Sequence, residues 1–301
     1  MRNTKNYTVV GVCIILFLVS GLYFYKQSFV VPNDFPVGKN FIINENESLK
    51  SISKRLEEEK FISSPLLFRA GLSFFRKDRN IKLGGYIFTT PLSLFGVVIR
   101  FVEGRPSSPL VSVTIPEGST SLEIASIVIK VLPSISTEVF TQMTSQYNAN
   151  GKLFPSTYFL LPSYSAEDVI KIMLNTFAKK IATLPNPVEV VPPLRDENDL
   201  LVLASILEGE AKTQEDMKIV AGILLARLTK KMMLQVDVAM ETYKQRGLPK
   251  SPLNNPGLTA INAALHPIVT PYFFYLTGRD GKMYYAKTFD EHKKNIQKYL
   301  K

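Results

Sequence analysis

Residues 199–228, DLLVLASILEGEAKTQEDMKIVAGILLARL, hold one carboxylate in a position where it could act as an acid. Leu200, Leu203, Ala204, Leu207 and Ala211 recur at helical spacing, which predicts a buried amphipathic helix. Glu208, four residues after Ala204 and seven after Leu201, falls at the edge of that apolar stripe. A carboxyl group there loses solvent. Desolvation disfavours its charged form and raises its pKa, which makes a proton donor usable near neutral pH. Glu208 is therefore a candidate general acid. The competing reading makes Glu208 and Glu210 solvated carboxylates at a helix end, and the local sequence leaves both open.

The elements around Glu208 follow from local rules. The first helix should stop near Gly209 to Lys212, and Thr213 with Asp216 forms a T-x-x-D capping box opening a second helix through Val220, Ile223, Leu224 and Leu228. A tight link of this kind sets the end of one helix beside the start of the next. Further on come LQVD at 234–237 and a turn-rich loop, GLPKSPLNNPG, at 247–257. A short helix is expected over 258–265, stopped by Pro267. Strands at 272–276 and 283–286 form a hairpin across GRDG, and Thr288 with Glu291 caps a last helix.

Composition narrows the classes. A chain of 301 residues that is 46% hydrophobic and 21% charged is globular, with room for one or two domains. The single cysteine, Cys13, excludes an intrachain disulfide framework and thiolate metal sites, and His266 and His292 are too few for a histidine-rich one. No metal or cofactor is expected. Sugar stacking would fall to tyrosine or phenylalanine, because the chain has no tryptophan. The net charge of +10 comes without an arginine-rich block or a nucleic-acid motif. It suits anionic lipid headgroups or an acidic polymer, and no nucleic-acid partner is expected.

Taken in order, residues 1–6 are a cytoplasmic stub and residues 7–25 a transmembrane anchor. The latter hold no charge over nineteen positions, about 28 Å at helical rise and enough to cross a bilayer core. Arg2 and Lys5 precede the run and Lys26 follows it, which favours a cytoplasmic N-terminus with the rest of the chain outside. Residues 26–38 are a linker. A strand at 41–43 then leads into a helix through Leu49, Ile52 and Leu56, and a related pattern returns with a strand at 113–115 and a helix through Ile124 and Val128. This offset suggests a duplicated strand-turn-helix unit. Between the copies a strand at 86–89 and a helix opening near Thr90 and Pro91 are expected, and later a helix over 165–179. The second unit and the start of the catalytic region occupy 111–183, a proline-rich linker 184–195, and the catalytic core 196–301.

The motifs in order carry a resemblance: LFPSTY at 153–158, ASILEGEA at 204–211, LQVD, GLPKSPLNNPG, AALHP at 263–267 and KTFDEHKKNIQKYL at the C-terminus. Together they resemble the MltG, or YceG-like, family of membrane-anchored endolytic lytic transglycosylases of bacterial peptidoglycan. The resemblance implies an α+β chain: a single N-terminal transmembrane helix, a small LysM-like region over 39–110, then a mixed catalytic domain with helices on a short antiparallel sheet. It implies cleavage of the β-1,4 bond between N-acetylmuramic acid and N-acetylglucosamine, ending in a 1,6-anhydro sugar. The catalytic glutamate of the family falls on Glu208. Substrate contacts fall on Gln235 and Asp237 of LQVD, with Tyr158, Tyr243, Asn255 and Glu210 as further groove residues. The implied location is the cytoplasmic membrane, with the catalytic domain outside and penicillin-binding synthases as partners.

The chain departs from the family pattern at Asn150, Lys152 and Ser156, in a shorter segment after Asp237, and at Ser251. Three readings are therefore carried forward. The first is a transglycosylase that limits strand length in nascent glycan. The second is a catalytically weakened or inactive cell-wall-binding scaffold with the same fold, and the third a muramidase that uses water.

Overall fold

The computed structural model describes residues 2–45, 47–78, 81–104, 106–108, 110–184 and 190–300, with side chains from Ile14 onward. Five residues of the proline-rich linker, 185–189, lie outside the described set. The architecture is mixed, with helices and short two-stranded sheets. The chain divides into two compact units, Met1–Val111 and Ser112–Lys301.

In the first unit, α1 (Arg2–Phe29) is followed by β1 (Asn40–Ile43), α2 (Leu49–Glu58), α3 (Pro65–Phe74), β2 (Gly84–Ile87) and α4 (Leu94–Glu103). Strand β1 pairs antiparallel with β2, Phe41 opposite Tyr86. Both side chains are fully buried, with Phe61, Phe68 and Phe101 around them. The ring of Tyr86 stacks on Phe101 at 4.4 Å, which makes the core of this small unit largely aromatic. Ser48, Ser64 and Ser93 cap the three shorter helices by accepting main-chain amides. Helix α4 thus starts after the position expected near Pro91, because the hydroxyl that caps it belongs to Ser93.

Among the described residues no helix is long and apolar enough to cross a membrane. Of the run at 7–25, the side chains of 7–13 lie outside the described set. The rest belongs to α1, and its large hydrophobic side chains, Ile14 to Tyr25, are exposed.

The second unit begins within β3 (Val111–Thr114) and continues through α5 (Ser121–Val131) and α6 (Thr137–Gln146), then β4 (Thr157–Leu160), which pairs with β3, and α7 (Ala166–Ile181). The two strand-turn-helix copies fold alike. Ser48 and Thr120 are both N-caps, and Ile52, Leu56, Ile124 and Val128 are all buried beneath their helices. The segment around Glu208 forms α8 (Glu197–Glu210) and α9 (Gln214–Thr229), followed by α10 (Leu258–Leu265), the antiparallel hairpin β5 (Phe274–Thr277) and β6 (Met283–Ala286), and α11 (Phe289–Tyr299).

Helix α8 is not amphipathic as the spacing predicts. Every residue from 199 to 207 is buried, so it is the central helix of the unit, walled by α9 and α10. Its one buried charge, Asp199, takes three hydrogen bonds from Arg195: main-chain N at 3.0 Å, Nε at 2.7 Å and Nη2 at 2.7 Å. These hold the Asp199 carboxyl below the usual range. Ser205, fully buried, accepts from the Leu253 amide at 3.0 Å, and the Ser205 carbonyl accepts from Asn254 Nδ2 at 2.9 Å. The turn-rich loop is thereby fastened along the flank of α8.

Helix α9 presses against the segment after α10 at Gly222, where an added Cβ would stand 1.9 Å from the Ile268 carbonyl oxygen. The Ile268 amide bonds the Lys218 carbonyl at 3.0 Å. Alanine for glycine inside a helix ordinarily stabilises by about 0.5–1 kcal/mol. Here Gly222→Ala should instead cost roughly 1–3 kcal/mol of overpacking, seen as a lower urea midpoint. An unchanged or raised midpoint would contradict the close approach.

Candidate active site

The two acids of the E-G-E segment end up in different surroundings. Glu208 sits two residues from the end of α8, half-buried, and accepts the Gly257 amide at the start of α10 at 2.8 Å. The carboxyl of Glu117 packs against the same glycine: a Cβ on Gly257 would lie 2.1 Å from Glu117 Oε1. Burial raises the Glu208 carboxyl, the Gly257 hydrogen bond lowers it, and the charge of Glu117 raises it further, with a net upward shift. The Glu117 loop is itself fixed, since the Gly118 amide bonds the Asn255 carbonyl at 3.1 Å and the Asn255 amide the Ser119 carbonyl at 2.9 Å.

Glu210, the last residue of α8, lines a cavity of about 510 Å³. The chain leaves the helix extended at Ala211, so the Glu210 side chain is not covered by a further turn. Tyr275 of β5 donates its hydroxyl to Glu210 Oε2 at 3.1 Å, and the Val238 amide approaches Oε1 at 3.4 Å. Burial pushes the Glu210 carboxyl up, the Tyr275 and Val238 hydrogen bonds pull it down, and the charge of Asp237 adds an upward push; the net shift is upward. A half-buried carboxyl with a raised pKa, facing a cavity, suits proton donation.

Gln235, Asp237 and Tyr243 line the same cavity. The loop that carries them alternates, with Leu234 and Val236 buried and Gln235 and Asp237 exposed. Thr242 holds this shape: its hydroxyl accepts from the Val236 amide at 3.0 Å and donates to the Ala239 carbonyl at 2.7 Å. Tyr243 donates to Asp237 Oδ1 at 2.6 Å, and this bond, with burial, pushes the Tyr243 phenol up to about 12. The structure therefore gathers Glu210, Gln235, Asp237 and Tyr243. Glu208, Tyr158 and Asn255 are not among the residues lining that cavity. Tyr158 is buried with its hydroxyl on the Phe154 carbonyl. Asn255 is buried with Oδ1 on the Leu153 amide at 2.8 Å and Nδ2 on the Ser119 carbonyl at 3.0 Å.

Arg227, Tyr275 and His292, to which the sequence assigned no part in a site, also line the cavity. Arg227 of α9 is buried and donates Nε to the Phe273 carbonyl at 2.7 Å and Nη1 to the Leu234 carbonyl, with its guanidinium 5.3 Å from the Phe274 ring centre. Tyr275 carries the bond to Glu210. His292 of α11 stacks on Phe274, its Nδ1 is buried without a partner, and burial together with the Arg227 charge lowers its pKa. The only local signal was an arginine within the apolar run LLARL. Phe289, Ile296 and Leu300 complete an apolar wall. Among the described residues no cluster of metal-ligating side chains is found.

Comparison with known proteins identifies the family of the chain. The model of the YceG-like family matches residues 41–241 and 239–298. The chain is 26% identical over 332 residues to the endolytic murein transglycosylase of Bacillus subtilis, covering 94% of this chain and 91% of that protein. It is 24% identical over 363 residues to the endolytic murein transglycosylase of Streptococcus pneumoniae strain D39, covering 97% of this chain but 65% of that longer protein, just under two thirds. A crystal structure of a YceG-like protein from Listeria monocytogenes superposes with a TM-score of 0.53 at 27% identity, over 85% of this chain and 98% of that one. The chain belongs to the YceG-like family.

Proposed function

We propose that this protein is a membrane-anchored lytic transglycosylase that cuts peptidoglycan strands within their length. The observation that carries the reading is the cavity at the end of α8, in which a half-buried glutamate with a raised carboxyl pKa meets an aspartate, a glutamine and two tyrosines. The names of the relatives support the substrate class. Within the motif we assign the acid to Glu210. Its side chain lines the cavity of about 510 Å³ beside Asp237, Gln235 and Tyr243, whereas Glu208 lies outside that lining, with Oε2 on the Gly257 amide. The assignment to Glu208 rests on the family resemblance and on that residue's own raised carboxyl.

In this mechanism the Glu210 carboxyl gives its proton to the glycosidic oxygen as the bond from C1 to that oxygen breaks. The C6 hydroxyl of the same sugar then attacks C1 and its proton passes to the Glu210 carboxylate, closing the 1,6-anhydro ring. No water is consumed, so no second carboxylate is needed to activate one. Asp237, held by Tyr243, faces the positive charge that grows at C1, and Gln235 offers an amide to the sugar N-acetyl group. Helix α1 keeps the site near nascent strands at high effective concentration, and penicillin-binding synthases are the natural neighbours. The first unit, over 39–110, supplies the LysM-like contact with glycan.

Two experiments test this. Full-length protein in detergent, incubated with purified glycan strands, should release anhydro-ended fragments. Glu210→Gln should slow release about 100-fold or more, while Glu208→Gln keeps most of it. The reverse pattern would move the acid to Glu208. Binding without release by the wild type, where a control enzyme works, would favour the scaffold, and reducing ends would mean a water-using muramidase.

The second test is pH. A general acid must begin protonated, and desolvation raises the Glu210 carboxyl above its ordinary value. The rate should therefore be highest below that raised pKa and fall as pH rises through it. A rate that climbs across the range from about pH 5 to 8 would remove a carboxyl donor from the mechanism.

A further inference from the structure

Helix α3 has a buried face and an exposed one. Phe68 and Leu72 are buried in the first unit, while Leu66, Ala70 and Phe74 follow one another at four-residue steps on the outside. Leu66 is 67% exposed and Phe74 82%, and Phe75 beside it is also exposed. So large an apolar stripe on a ten-residue helix marks a contact surface rather than scatter.

What lies beside the stripe names its partner. Residues 69–82 carry five basic side chains against one acid, Asp78, so the apolar face continues into a basic segment. The start of α3 is close to the end of α1, and its other end is related to α1 through α4. Ser63, just before α3, donates to the Gln27 carbonyl at 3.1 Å. Phe68 meets Phe101 at 5.3 Å and Gly71 abuts Val98, so α3 and α4 run antiparallel and the far end of α3 points toward Phe95. Phe95 packs on Phe29 of α1 at 5.4 Å. Helix α3 therefore extends across the base of α1, whose side chains from Ile14 to Tyr25 are apolar and exposed.

We propose that the exposed face of α3 rests on the surface of an anionic bilayer beside the point where α1 enters it. Leu66, Phe74 and Phe75 would sink to the boundary between headgroups and acyl chains, with Arg76 and Lys77 among the phosphates. The first unit would then be held at a fixed tilt to the membrane instead of swinging on a tether. The proposal rests on the anchor reading of α1 and is independent of the catalytic one.

The test uses the absence of tryptophan from the chain. Phe74→Trp gives one fluorophore on α3, and Leu18→Trp, in a separate protein, one on α1. Each full-length variant is reconstituted into vesicles of phosphatidylglycerol and bromine-labelled phosphatidylcholine. Both should be quenched and blue-shifted. Adding Arg76→Glu with Lys77→Glu, or omitting phosphatidylglycerol, should relieve quenching at position 74 but not at position 18, since each basic charge is worth about fivefold in attraction to such a surface. Quenching at 18 with water-like emission at 74 would overturn the proposal and leave the anchor standing. Quenching at neither would overturn both. A blue shift at 74 that bromine does not quench would mean that protein covers the face, which also overturns it.

Discussion

The second unit depends on the burial of α8 on every side. Burying one Leu or Ile contributes roughly 1.5–3 kcal/mol, and this helix buries such residues around its whole circumference between 200 and 207. A helix with no solvent face needs its neighbours to be in place at once. Helices α9 and α10 flank it, and the loop before α10 is fastened through the Ser205 hydroxyl and carbonyl. The cost of this centrality falls on Asp199, whose uncompensated burial would exceed the gain from any single leucine. The fork of Arg195 removes that cost, with the guanidinium itself kept largely in water.

The same constraint produces the site. A central helix delivers its last residue against packed neighbours, so Glu210 is partly desolvated while it still lines the cavity. Its surroundings are tied together by Arg227, whose guanidinium bridges the Leu234 carbonyl at the start of the polar loop and the Phe273 carbonyl at the start of the hairpin. A guanidinium stays charged in any protein environment. Its fixed fork thus sets the spacing between the loop bearing Gln235 and Asp237 and the strand bearing Tyr275. The rim of the cavity is a consequence of one buried side chain on α9.

Elements governed by local rules were legible in the sequence. The Thr213 and Thr288 caps, α10 over Leu258–Leu265 and β6 over Met283–Ala286 stand where composition and turn residues put them. Helices α3 and α6 were not foreseen, although Ser64 and Ser136 cap them: α3 has apolar residues on both faces and α6 is rich in Thr and Ser, so neither gives a clean 3.6 period. Strand β4 escaped because it is only four residues long and lies between Pro155 and Pro162, which make the segment read as a turn-rich loop. The site was half legible. The residues of one motif could be named together, but the Tyr275 hydroxyl on Glu210 and the Arg227 fork join α8, α9 and the hairpin across long stretches of chain, and no local pattern encodes them.

The pair Glu208 and Glu210 shows that one motif can place its two acids in different surroundings. Residues two apart on an α-helix are separated by about 200° around its axis, so they cannot face one site. One must look toward the start of α10 and the Glu117 loop, the other toward the cavity behind the polar loop. Both carboxyls are desolvated and both are shifted upward, so the shift alone does not distinguish a reacting acid from a structural one. The distinction lies in what each oxygen can reach. The Glu208 carboxyl fastens the unsatisfied amide of Gly257, where the helix offers no capping side chain of its own. The Glu210 carboxyl lines the cavity, with the Tyr275 hydroxyl on Oε2 and a long contact from the Val238 amide on Oε1. In a helix buried as deeply as α8, the first acid ties the helix end to the start of α10 and the second turns toward the cavity.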